Sequence, residues 1–471
     1  MNRVIVLLVA LAVSAGASAQ APGLKAGAFA MDVTPLKFPI SVNGGMADRQ
    51  VTMANDRLHA RCLVLDDGKT KLALVVVDSC MIPRELITAA KILAAKKTGI
   101  PAANMLISAT HTHSAPTVTG VFQSDPDEKY VTFLAGKIAE GIGHAHDRRE
   151  PAKIGWASAD NADQVFVRRW KREHGFIPAD PFGNSTDRVQ MNPGYQAKGL
   201  VEPAGVVDPQ VSVLAVKSLK DKPIALYANY SLHYVGGNPE LSGDYFAAFA
   251  DRIAQLLGEE NGNGTFVGIM SNGTSGDVNN VNFGMPAPKN RQPGEQIRVV
   301  ADSVAKTAHE AYKKIDWKDN VPLAAATRDI ELGVRKPTAK DIEQANKTLD
   351  EQKGAASLKG RDAIYARETV LLAEYPDKVP VTLQALRIGD LSIAAIPCET
   401  FAGIGLEIRK KSPAKSTFTV SLANGYNGYL PTPAQHDLGG YETWRARSSY
   451  LEKDASPKIT KVLSELLDAV K

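Results

Sequence analysis

The sequence has little cysteine, little aromatic surface and almost no excess charge of one sign. Its three cysteines, Cys62, Cys80 and Cys398, are an odd, widely spaced set that gives neither a disulfide framework nor a metal-finger spacing. Cys62 and Cys80 lie in or beside apolar runs and read as buried thiols. With 55 basic against 51 acidic side chains the net charge is only +4, which argues against nucleic acid as partner. Beyond the first residues no apolar run approaches the roughly 20 residues needed to cross a bilayer, so no transmembrane segment is expected in the mature chain. A His-Glu-x-x-His helix is missing, and the glycine loop 270–280 has no lysine, which excludes a zincin helix and a phosphate-cradling loop. A lactamase-like binuclear site is also excluded, because Ala115 stands where that pattern needs an aspartate.

What is present begins with a leader. Arg3 precedes an apolar run over 4–13 and then Ala17-Ser18-Ala19, the small-residue pattern of a cleavage site. Residues 1–19 are therefore expected to be a signal peptide cut after Ala19, placing the mature chain in the periplasm or outside the cell. Residues 20–471 carry no internal repeat and no low-complexity linker, and read as a single domain. The one shift in composition, over 336–377, is charged, Ala-rich and helical in pattern, and reads as a peripheral helical arm.

Short apolar runs rich in Leu, Val and Ile predict strands over 60–65, 72–77, 104–109, 211–216, 224–229, 265–270, 382–388, 392–396 and 418–423. Helical spacing predicts helices over 83–97, 129–144, 245–257, 296–315, 340–352, 360–372 and 459–470. The alternation predicts an α/β protein with a mixed β-sheet core flanked by helices. Long loops over 120–128, 170–206 and 282–294, rich in Gly, Pro and Asn, are where binding function tends to sit.

Several strands run into chemistry. In Ser108-Ala-Thr-His-Thr-His-Ser-Ala-Pro116, His111 and His113 leave a strand together on one face. Paired imidazoles of this kind suit a metal ligand beside a proton donor or acceptor, or are simply polar loop residues. His233 ends the apolar strand before Gly236-Gly237. Glu399 follows the uncharged run Leu391-Ser-Ile-Ala-Ala-Ile-Pro-Cys398, where an unpartnered carboxylate is costly; a cation is the simplest partner and an arginine the alternative. Tyr426 and Tyr429 lie in the glycine loop that follows 418–423. The loop around Gly276-Asp277 offers backbone amides and a carboxylate.

Taken in order, Met31-Asp-Val-Thr-Pro35, Thr110-His-Thr-His-Ser114, Val207-Asp-Pro209, His233 with Ser242-Gly-Asp-Tyr245, Gly276-Asp277, Ile396-Pro-Cys-Glu399 and Tyr429 resemble the neutral, non-lysosomal ceramidase family along nearly the whole mature chain. The resemblance implies a zinc ion held at the C-terminal ends of strands by His111, His233, Glu399 and Tyr429. It makes His113 the histidine next to the scissile amide, Arg168 (or Arg169) a substrate-side arginine, and Tyr441 a tyrosine that polarises the carbonyl. Two departures accompany it. Asn279 stands where the family's Gly-Asp-Val-Ser-Pro-Asn loop has its catalytic serine, and the family's C-terminal immunoglobulin-like domain is expected to be absent. The expected activity is thus zinc-dependent hydrolysis of an amide or ester in a small-molecule or lipid-like acylated substrate, with zinc-activated water as nucleophile, the Asp277 carboxylate near the site and Asn279 positioning the substrate by hydrogen bonding. A zinc hydrolase of a non-ceramide, N-acyl or glycan-derived substrate is the alternative, and a non-catalytic binding module is the other.

Overall fold

Strands that read as unbroken apolar runs are buried on both faces, and this sets the layering. In Lys71–Val77, Leu72, Leu74 and Val76 pack into one apolar layer, while Ala73, Val75 and Val77 pack into another. The first layer lies between two sheets and the second lies under helices. The computed structural model describes residues 23–261, 266–289 and 291–471, so the expected leader lies outside the described residues.

The larger sheet has eight strands in the order Val267–Asn272, Pro223–Tyr230, Gln210–Ser218, Glu150–Asp160, Lys25–Asp32, His59–Asp66, Lys71–Val77 and Met105–Ala109. Its two outermost pairs are parallel and the inner ones antiparallel. The second sheet, Leu323–Gly333, Lys378–Ile388, Leu391–Ala395 and Ser416–Val420, also ends in a parallel pair. Leu63, Leu65 and Leu74 from the first sheet interdigitate with Leu386, Ile393 and Phe418 from the second. Helices Arg84–Thr98 and Glu128–Asp147 cover one half of the outer face of the large sheet. Asp244–Leu256 and Glu295–Tyr312 cover the other half, and Ala402–Lys411 and Ala455–Ala469 cover the second sheet. The result is four layers, helix, sheet, sheet, helix: the mixed α/β class expected, with two sheets where one was expected.

The sequence pattern missed Lys25–Asp32, Glu150–Asp160, Leu323–Gly333 and Ala402–Lys411. The strand expected over 265–270 is described from Val267, residue 265 lying outside the described residues. The long 170–206 loop is partly ordered into a three-stranded sheet, Val189–Met191, Arg169–Arg172 and Leu200–Pro203. Within 336–377, Ala339–Asp350 and Arg361–Ala373 form a helical hairpin tied down by Arg447–Glu368 (2.7 Å) and Arg445–Asp341 (2.9 Å). All three cysteines are buried and free. Among the described residues no helix is long and apolar enough to cross a membrane.

The parallel pairs matter most, because ligand sites form beyond the carboxyl ends of parallel strands. The edges of the large sheet curl toward each other until Asn272 Nδ2 donates to the Thr110 carbonyl at 3.1 Å. The segment after Ser416–Val420 bridges both edges, through Ser421 N to Asn272 O (3.0 Å) and Ala109 N to Leu422 O (3.1 Å). Three pairs of strand ends thereby open onto one place.

Candidate metal centre

His111 leaves the strand Met105–Ala109 with φ of +73°, a conformation that costs a non-glycine residue about 1–3 kcal/mol and persists only when its surroundings fix it. Two contacts do so: its N–H donates to Ser79 O at 2.9 Å, and its Nδ1 lies 2.7 Å from Cys80 O. His233 is held similarly, with Nδ1 3.1 Å from Ser275 O. A carbonyl can only accept, so each Nδ1 carries the proton and a neutral ring presents a lone pair at Nε2. The two Nε2 atoms lie 3.2 Å apart, and Glu399 Oε2 lies 3.1 Å from His111 Nε2. That carboxylate oxygen is buried, with the His111 ring as its near neighbour and no further hydrogen-bond donor among the described residues. Tetrahedral zinc, with ligand bonds of about 2.0–2.1 Å, places neighbouring donor atoms about 3.3 Å apart. The donor set, its spacing and the orphaned oxygen all fit such an ion.

Tyr429 reaches the same place because Tyr429–Leu430 pairs in parallel with Glu399–Thr400, and its phenol interacts with the Glu399 carboxylate. Tyr426 holds the other carboxylate oxygen, Oε1, at 3.0 Å. Gly276 allows this loop to close, since a Cβ there would come within 2.4 Å of the Glu399 carbonyl.

His113 Nε2 is 3.2 Å from His111 Nε2, and its ring stacks on Tyr234 with centroids 3.6 Å apart. Its back lies against Gly44, at φ +106°, where a Cβ would meet the imidazole at 2.5 Å. Arg168 is wholly enclosed: Nε donates to Glu442 at 3.0 Å, Nη2 to Tyr429 OH at 3.0 Å, and Nη1 lies 3.1 Å from His233 Nε2. Arg169 donates to the other oxygen of Glu442 at 2.6 Å. Arg168 is thus paired to Glu442 rather than to Glu399. Tyr441 packs edge-on against Tyr429 with centroids 5.8 Å apart.

Burial, then Arg168 and His111, hold His233 well below the ordinary imidazole range; burial, then His111 and Arg168, do the same to His113. Burial lowers His111 too, but the Glu399 carboxylate overrides it and raises that imidazole well above its usual value. Burial raises the Glu399 carboxyl, and His111, Tyr429 and Arg168 together more than offset it, leaving it below the usual value. Burial and Glu399 raise Tyr429 and Tyr441.

Asp277 and Asn279 stand further out. Asp277 Oδ1 accepts from Ala402 N at 2.8 Å, at the start of Ala402–Lys411, and burial pushes its carboxyl up to about 6. Its carbonyl accepts from Arg168 N at 3.0 Å. Asn279 Nδ2 donates to Asn192 at 2.9 Å and its Oδ1 accepts from Val281 N at 2.9 Å, while Val278–Asn279 pairs with Phe166–Val167. Both therefore adjoin the strand that delivers Arg168, and neither has a hydrogen bond to the histidine cluster. Sequence reasoning missed Tyr234 and Glu442. Both sit next to a residue it selected, His233 and Tyr441, but nothing in a single sequence says which loop side chains turn inward.

No family model matches the sequence, and no curated protein matches it. Among solved structures the chain is similar to the neutral ceramidase from Pseudomonas aeruginosa, with a TM-score of 0.70 at 17% identity over 95% of this chain and 74% of that one. It is similar also to a ceramidase complexed with C2, with a TM-score of 0.69 at 16% identity over 95% of this chain and 75% of that one. The chain has the neutral ceramidase fold. The resemblance drawn from the ordered motifs holds at that level.

Proposed function

We propose that this chain is an exported zinc-dependent hydrolase of an amide or ester bond, with residues 20–471 as one catalytic domain. The observation that carries the proposal is the buried convergence of His111 Nε2, His233 Nε2 and an orphaned Glu399 oxygen at 3.1–3.2 Å. His111, His233, Glu399 and Tyr429 would hold the ion. Bound zinc supplies a Lewis acid that polarises a carbonyl and makes water a nucleophile near neutral pH.

The protein's own groups do the rest. His113, kept neutral, takes a proton from the attacking water at Nε2 and returns it to the leaving group. Tyr234 and Gly44 fix the plane of its ring. The guanidinium of Arg168 and the phenol of Tyr441 donate toward the oxygen on which negative charge develops, among buried side chains where such donors act more strongly than in bulk water. Glu442 holds Arg168 in place, and Asp277 and Asn279 set the strand that carries it. No hydroxyl occupies position 279, so water rather than a serine is the nucleophile in this scheme.

Purified His111→Ala and His233→Ala proteins test it. Each is expected to lose bound zinc by elemental analysis and to lose hydrolysis of ceramide vesicles and of a panel of soluble amides and esters. A metal-free variant with full activity overturns the proposal. A second reading, a non-catalytic binding module, is favoured by one observation: Arg168 Nη1 lies 3.1 Å from His233 Nε2, where a cation would meet that ring. Absence of turnover across the panel, with or without bound metal, would support that reading.

A further inference from the structure

A short β-hairpin, Ile40–Val42 paired with Arg49–Val51, grips His113 at two points. Its turn places Gly44 against the imidazole. Its second strand brings Arg49 to the main chain of the same residue, where Nη2 donates to His113 O at 3.0 Å and lies 3.5 Å from Ser114 Oγ. The β-hairpin is itself anchored to the segment that follows: Thr117 N donates to Ser41 O at 2.8 Å, and Asn43 Nδ2 donates to Thr119 O at 3.1 Å.

Arg49 has a second hold, because Nη1 donates to Pro239 O in the loop that leads away from Tyr234. This loop turns at Gly236 and Gly237, with φ of +78° and +87°, where glycine adds no restraint of its own. Asp244 fixes its start, accepting from Val235 N at 2.9 Å and from Gly236 N at 2.8 Å. Over 237–240 the hydrogen bonds to the rest of the described chain come from one side: Arg49 to Pro239, and Thr52 N and Met53 N to Glu240, each at 3.3 Å. The Arg49 bonds are charge-assisted and roughly twice as strong as neutral ones. Tyr234, at the head of the loop, stacks on His113 with the ring planes 17° apart. One guanidinium therefore ties together the two segments whose side chains form that stack. The aim of His111 and His233 is set elsewhere, by the carbonyls of Ser79, Cys80 and Ser275.

We infer that Arg49 is a positioning residue: it clasps His113 to the loop of Tyr234 and so sets the imidazole for proton transfer, without a part in holding the metal. The consequence for hydrolysis rests on the hydrolase reading, whereas the clasp itself does not.

NMR of the full chain with labelled histidine tests the clasp, since the face of Tyr234 shields the ring protons of His113. Arg49→Ala is expected to move that signal toward the value of an unstacked histidine and to speed amide exchange at Leu241 and Ser242. Methylguanidine added to this variant is expected to reverse both changes. Arg49→Lys keeps the charge but not the planar fork, and is expected to fall between the two. An unchanged signal and unchanged exchange overturn the inference, and so does a rise in exchange spread evenly over the chain, which marks a general loss of stability. In the zinc-loaded enzyme, Arg49→Ala is expected to keep zinc near one per chain while kcat falls on the order of 10–100-fold with KM within about threefold. Loss of zinc along with kcat overturns the positioning role. Should the native chain neither bind zinc nor hydrolyse the panel, the hydrolase reading fails by itself, and the NMR and exchange results still decide the clasp.

Discussion

His111 Nε2 and His233 Nε2 meet at 3.2 Å across 122 residues of chain, each ring turned by a main-chain carbonyl at its opposite nitrogen. Neither carbonyl belongs to the strand that carries its histidine: Cys80 follows Lys71–Val77 and Ser275 follows Val267–Asn272. Each ligand is thus aimed by the neighbouring parallel strand, and the precision of the site is a property of the sheet.

Groups behind the ligands should matter as well. Tyr426→Phe removes the hydrogen bond to Glu399 Oε1 and nothing from the set of donor atoms. Loss of such a supporting partner weakens metal affinity about 10–100-fold, and competition against a chelating dye measures it.

Gly44→Ala separates chemistry from metal binding. The added methyl collides with His113, whose Cγ, Nδ1 and Cβ are the atoms nearest that glycine's Cβ position. Zinc content is expected to stay near one per chain while kcat/KM falls about 100-fold, the usual consequence of misplacing a proton-transfer group by about 1 Å. Elemental analysis beside steady-state kinetics checks both halves.

How much of this was legible follows from what each residue sits on. His111, His233 and Glu399 each end a strongly apolar strand, so the sequence itself flags a polar group where burial is coming. Lys25–Asp32 was not legible, because its Gly and Ala residues look like a loop and it is a strand only by pairing with His59–Asp66. The division into two sheets was hidden for a related reason: Leu63 and Cys62 are both apolar, and only the packing tells that one faces a sheet and the other helices. Glu442 gave no signal, since its two partners are 273 and 274 residues away.

Glu442 carries a stability prediction. It is fully buried between Arg168 and Arg169, and Glu442→Gln deprives two enclosed guanidinium charges of the carboxylate that pairs with both. Breaking one side of such a network costs about 3–5 kcal/mol, to be read from urea unfolding of the metal-free chain.

Asp277 should shape the pH dependence. Burial raises its carboxyl from 3.8 to about 6, so between those values the folded chain holds a proton that the unfolded chain has released. Its contribution is therefore most favourable below pH about 4 and is lost as pH rises through about 6, by an amount on the order of 3 kcal/mol. Asp277→Asn keeps the acceptor for Ala402 N and removes the titration. The stability of the variant relative to the native chain is expected to rise between pH 4 and pH 7 in paired urea titrations, and a constant difference contradicts this.

The most direct test of the central claim is anomalous diffraction at the zinc edge from crystals of the zinc-loaded chain. The account predicts one peak about 2.0–2.2 Å from His111 Nε2, His233 Nε2, a Glu399 oxygen and the Tyr429 oxygen, with Arg168 drawn off His233. A peak elsewhere, or no peak with the guanidinium still against His233, contradicts it.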